Sequence, residues 1–130
     1  MSEVKKLVWL VDDDAEMSAA MRLMFRLLGM ETRCFGDARS AARALLAGET
    51  PDLLVLDMNM PEVTGLDMLE FVRKRGAWNQ MPVIMLSAET ADTEVRKALV
   101  LGANGYLFKP VTLEEVEKVT GEVMGGRRPA

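Results

Sequence analysis

Five short apolar runs, each leading through a polar residue into a helical stretch, limit what this chain can fold into. They are Leu7 to Val11, Thr32 to Phe35, Leu53 to Leu56, Val83 to Leu86 and Tyr106 to Phe108. The first, third and fourth are long enough, and continuously apolar enough, to need cover on both faces. Strands of that kind belong in a parallel sheet with a helical layer on each side, which is the three-layer α/β class.

The intervening segments carry helix spacing and helix punctuation. Met17, Met21, Met24, Phe25 and Leu28 share a face, and Gly29 follows where a C-terminal cap belongs. Asp37 is placed to cap a second helix containing Ala41, Ala42 and Leu45, closed by Gly48. A third helix is expected from Leu66 to Lys74, and a fourth from about Ala91 to Leu101, ending at Gly102. The fifth opens at Thr112 with Glu115 at capping-box spacing. Its expected inward stripe is Leu113, Val116 and Val119 or Thr120, with Gly121 weakening the last turns. The methionines on these stripes read as adaptable core filler.

A chain of 130 residues provides one domain, and its 49% apolar content is ample for a core without disulfide or metal staples. The reading is a domain over residues 1–124, with 125–130 as a flexible tail or the start of a linker. A single cysteine, Cys34, fits a reducing compartment, and a five-residue apolar run near the N-terminus is far short of a membrane span. Both point to the cytoplasm. A net charge of −4 with no basic run longer than the three residues Arg73-Lys74-Arg75 argues against direct nucleic-acid binding. The absence of histidine excludes His-based triads, His-ligated zinc and a histidine phosphocarrier.

In open α/β sheets, ligands bind beyond the carboxyl ends of the strands, where strand order reverses. The residues just after the apolar runs therefore matter most: Asp12, Asp13 and Asp14, then Asp57, Ser87 and Lys109. Each has a plainer explanation. Asp14 reads as a helix cap, Asp57 as a turn starter, Ser87 as a loop hydroxyl and Lys109 as a solvated surface lysine. Those explanations leave unaccounted why all of them fall at one end of successive strands. Carboxylates crowded from two strands repel one another unless a cation joins them, and oxygen ligands without His or Cys favour Mg²⁺. Such a cation keeps positions open for phosphate oxygens, with a lysine and a hydroxyl to hold the rest and one carboxylate left as an in-line nucleophile.

These residues carry a family resemblance. Val11-Asp12-Asp13, Asp57 with Met60-Pro61 and Gly65, Leu86-Ser87-Ala88, and Gly102-Ala103 followed by Tyr106-Leu107-Phe108-Lys109-Pro110 resemble the receiver domain of bacterial response regulators, the CheY-like family. The likeness covers Lys6 to about Met124. It implies a flavodoxin-like (βα)5 doubly wound sheet with strand order 2-1-3-4-5. It further implies Asp57 as phosphoacceptor from a phosphohistidine on a sensor kinase or phosphotransfer protein. Asp13 and Asp57 would ligate Mg²⁺ directly, Asp12 through water, and Asn59 through its backbone carbonyl. Lys109 would contact the phosphoryl group, Ser87 would be the switch hydroxyl, and Tyr106 the aromatic that turns inward with it. The Lys109–Pro110 bond is expected to be cis.

On the same resemblance, Asn59 and Glu89 occupy the positions that tune phosphoryl lifetime and are similar to those of a freely diffusing chemotaxis regulator. The readout is expected on the face of the fourth helix, fifth strand and fifth helix, in a monomer or a phosphorylation-dependent dimer. A haloacid-dehalogenase-type phosphatase is the competing reading. It needs a second Asp two residues after the nucleophile, where this chain has Asn59, an amide that cannot relay a proton. A third reading keeps the fold as a protein-binding module with a vestigial acidic edge.

Overall fold

The computed structural model describes residues 5–88 and 91–125. Strands β1 (Leu7–Val11), β2 (Glu31–Phe35), β3 (Leu53–Asp57), β4 (Val83–Ser87) and β5 (Gly105–Phe108) alternate with helices α1 (Ala15–Leu27), α2 (Ala38–Leu46), α3 (Gly65–Lys74), α4 (Asp92–Val100) and α5 (Leu113–Met124). The strands form one sheet in the order β2-β1-β3-β4-β5, every pair parallel. This is the flavodoxin-like arrangement, with its switch point between β1 and β3.

Strand alternation sends the side chains into two cores. On one side of the sheet, Trp9, Val11, Leu54, Leu56 and Met85 pack with Ala41 and Leu45 of α2, Met68, Leu69 and Val72 of α3, and Ala98 of α4. On the other, Val8, Leu10, Val55, Ile84 and Leu86 meet Met21 and Phe25 of α1 and Val116 and Val123 of α5. Both faces of the central strands are thus covered, which is why their sequences show no polar alternation. Met21, Met68 and Met85 are fully enclosed, as core filler should be.

The caps explain where the helices begin. Asp14 accepts from the backbone N–H groups of Glu16 and Met17 at 3.0 and 3.2 Å, and Asp37 from Ser40 at 2.7 Å. The reciprocal capping box lies at Thr64 and Asp67, at the head of α3. At the head of α5 only half of the expected box forms. Thr112 accepts from the Glu115 N–H at 3.2 Å, but the Glu115 carboxylate takes the Thr112 hydroxyl at 3.0 Å instead of a backbone donor. The inward stripe of α5 also needs correction. Leu113 is 39% exposed, because as the first helical residue it precedes the turn that packs on the sheet. Val116, Thr120 and Val123 form the stripe, and the helix runs through Gly121 to Met124. No helix among the described residues is long and apolar enough to cross a membrane. Residues 126–130, assigned from sequence to the tail, lie outside the described residues.

Candidate functional site: an acidic pocket at the strand ends

Pairing register brings the strand ends level. Val11 lies beside Leu56, Asp57 beside Leu86, and Ser87 beside Phe108. Asp12, Asp57, Ser87 and Lys109, drawn from four adjacent strands, therefore emerge at one edge. Gly65, the first residue of α3, folds back over the end of β3 so closely that a Cβ there would overlap the Asp57 carbonyl. Only glycine lets the β3–α3 connection seal this side of the pocket.

Asp12, Asp13 and Asp57 each offer one carboxylate oxygen, and these three atoms lie within 4.8 Å of one another. Asp12 and Asp57 are buried, whereas Asp13 is exposed. The Lys109 ammonium sits 3.6 Å from Asp12 Oδ2 and 3.5 Å from Asp57 Oδ1, shared between the two buried carboxylates. The Lys109–Pro110 peptide is cis. Backbone donors supply part of the remaining satisfaction: Asp14 N–H donates to Asp12 Oδ1 at 2.9 Å, and Asn59 N–H to Asp57 Oδ1 at 3.2 Å. The Asn59 side-chain amide donates to the Ser87 hydroxyl at 3.3 Å, tying the loop after β3 to the end of β4. Sequence reasoning missed that tie, since nothing in residue spacing signals where an amide rotamer points.

One atom is left over. Asp12 Oδ2 is buried and accepts no hydrogen bond, although the lysine is its ionic neighbour. Burial pushes the Asp12 carboxyl up from 3.8 to about 6. The Asp14 N–H opposes that rise, the nearby charge of Asp57 adds to it, and Lys109 opposes it. Three crowded carboxylates, an orphaned buried oxygen and purely oxygen donors suit a small hard divalent cation. Charge, not volume, defines this pocket. A groove of about 670 Å³ between α1 and β2 shares Asp12 and Asp13, but neither Asp57 nor Lys109 lines it.

Of the other candidates from sequence, Asp14 is a helix cap, and Tyr106 sits half-buried on β5 with its ring 4.9 Å from that of Phe108. Glu89 lies outside the described residues.

The family model for the response regulator receiver domain matches residues 8–120. The chain belongs to the response regulator receiver family. It is 34% identical over 122 residues to the chemotaxis protein CheY of Pseudomonas aeruginosa, covering 91% of this chain and 98% of that one. It is 38% identical over 108 residues to the Regulator of RpoS of Escherichia coli, of which it spans 31%, and it spans 17% of the protein RcaC of Microchaete diplosiphon. Among solved structures, the Vibrio cholerae chemotaxis protein CheY4 superposes with a TM-score of 0.84 at 28% identity, covering 92% of this chain and 99% of that one. A structure described as a response regulator from Chloroflexus aurantiacus, at 24% identity and a TM-score of 0.88, supports the fold. Receiver membership, with Asp12, Asp13, Asp57 and Lys109 gathered in one pocket, makes this a phosphorylation switch, a signalling module rather than a turnover enzyme. It also implies a histidine kinase as partner.

Proposed function

We propose that Asp57 accepts a phosphoryl group from a phosphohistidine of the partner and that the pocket around it converts this into a change of surface. The observation that carries the proposal is the Lys109 ammonium held between Asp12 and Asp57 at 3.6 and 3.5 Å. There the ammonium stands where a phosphoryl oxygen on Asp57 would need a cation. A carboxylate oxygen of Asp57 attacks phosphorus, the P–N bond breaks, and its electron pair leaves with the imidazole nitrogen of the donor. Asp12, Asp13 and Asp57, with the Asn59 carbonyl, are the groups that would hold Mg²⁺. Its contribution when bound is to neutralise charge on the transferring oxygens.

Ser87 then exchanges its bond from the Asn59 amide for one to the phosphoryl group, which Lys109 also contacts. Ser87 and Tyr106 act as the switch pair, and the altered surface is the one built from α4, β5 and α5. The histidine kinase or a phosphotransfer protein is the donor, and a protein target reads the surface in the cytoplasm. Asn59 and Glu89 set a short phosphoryl lifetime. Residues 1–124 act as one receiver unit, with 125–130 outside it.

The test is beryllofluoride with Mg²⁺, a stable mimic of the acyl phosphate. The reading predicts amide shifts around Asp57, Ser87 and Tyr106 that vanish in Asp57→Asn. Shifts restricted to Asp12 and Asp13, with Tyr106 unmoved, would leave a metal site without a switch. Steady release from p-nitrophenyl phosphate would support the phosphatase alternative instead.

A further inference from the structure

A side chain that joins several separate segments lies at the opposite end of the sheet from the acidic pocket. Arg73, in the last turn of α3, donates through Nε to the Gly102 carbonyl at 2.9 Å, through Nη1 to the Trp78 carbonyl at 3.1 Å, and through Nη2 to Asn104 Oδ1 at 2.8 Å. The same Asn104 oxygen accepts from the Val83 N–H at 2.9 Å, and the Asn104 N–H donates to the Val83 carbonyl at 2.8 Å. One planar guanidinium thereby ties the end of α3 to the link into β4, to the α4–β5 turn and to the lead-in of β5. Gly102 fits this closeness. It has φ of +107°, and a Cβ there would approach Arg73 Nε to 2.9 Å.

The segments so tied are those that carry the switch. β4 ends at Ser87, and β5 runs through Tyr106 to Lys109. α3 starts at Gly65, against the Asp57 backbone, so it spans from the acceptor to the tie. Between β4 and β5, α4 is held unevenly. Its fully buried residue, Ala98, lies near the C-terminal end beside the Arg73-bound turn, and the rest of the helix is half-buried or exposed. A helix anchored in the core near one end moves about that end.

We infer that Arg73 is a positioning residue of the switch: it fixes the pivot about which α4 and the β4–β5 pair respond when Ser87 is drawn toward the acceptor. The inference rests on the phosphorylation reading above but concerns transmission, not phosphoryl uptake. Without the tie, movement at Ser87 is absorbed by slippage of the α4–β5 turn and is not passed to Tyr106 and α4.

The full chain as Arg73→Met, and as Arg73→Lys, which keeps the charge and the stem but cannot reach three acceptors, tests this. Two readouts are needed, labelling of Asp57 by acetyl phosphate and amide shifts across Val95 to Tyr106 on saturation with beryllofluoride and Mg²⁺. The expected result is labelling at the parent rate, with the switching equilibrium reported at Tyr106 reduced by roughly fivefold or more, the lower range of ordinary inter-site coupling. Arg73→Lys carries the test should Arg73→Met fail to fold. Folded variants with undiminished shifts at Tyr106 overturn the inference and leave Arg73 as a structural tie. Failure of the parent protein to label at all overturns the phosphorylation reading instead.

Discussion

In metal-free protein, the buried carboxylate Asp12 should make the fold more stable in mild acid than at neutral pH, the reverse of ordinary acid denaturation. Its carboxyl is raised from 3.8 to about 6, chiefly by burial. The proton is thus bound more tightly in the folded state, so Asp12 contributes stability that is full below the unfolded value and is lost as pH rises through about 6. At about 1.4 kcal/mol for each pH unit between the two values, the full span is about 3 kcal/mol. About 2 kcal/mol of it is recovered on going from about pH 8 to about pH 4.5. For a domain of this size that is roughly 7 °C in Tm. Asp37 works in the opposite sense, its carboxyl being lowered by the Ser40 backbone N–H, so its contribution is lost only in stronger acid, below this window. The assay is thermal unfolding in EDTA across that range, on the parent and on Asp12→Asn. The parent should melt higher at the acid end and the variant should show little slope. A parent that melts lower at the acid end, or a variant that keeps the full rise, would refute the account of Asp12.

Other perturbations act on the same pocket. Asp57→Asn should raise the metal-free Tm at neutral pH by the equivalent of about 1 kcal/mol, since it removes one of the charges raising Asp12. Millimolar Mg²⁺ should stabilise the parent by up to about 2.7 kcal/mol at a hundredfold excess over Kd, and the variant much less; equal stabilisation of both by calorimetry would contradict a shared carboxylate site. Gly65→Ala should cost about 2–4 kcal/mol in urea unfolding, because the new methyl group meets backbone rather than a side chain that can yield. If Asn59 tunes lifetime, Asn59→Ala should change the decay of radiolabel from the phosphorylated protein; a slow decay identical in both would remove Asn59 from that role.

Much of the architecture was legible because the physics is local. Continuous apolar runs such as Leu53 to Leu56 report two covered faces, and Asp14 and Asp37 open helices with side-chain caps while Gly48 closes one with a positive φ. The grouping of Asp12, Asp57, Ser87 and Lys109 followed from topology once a parallel sheet was accepted, because parallel strands deliver their ends to one edge. Leu113 shows the limit. Its spacing from Val116 matches an inward stripe, yet whether a first helical turn reaches the sheet depends on tertiary placement, not on period. The capping box at Thr64 and Asp67 went unread although its residues have the ordinary spacing. Arg73 was invisible for a different reason. Its acceptors are two backbone carbonyls and an asparagine up to 31 positions away, and a charged residue at the end of a helix otherwise reads as solvated surface.

Incubation with acetyl phosphate, with and without Mg²⁺, followed by peptide mass mapping addresses the central claim most directly. The account predicts one phosphoryl group, located on Asp57, dependent on the cation and absent from Asp57→Asn. Phosphoryl on another residue, or a chain that stays unmodified while its Mg²⁺-induced stabilisation is intact, would contradict it.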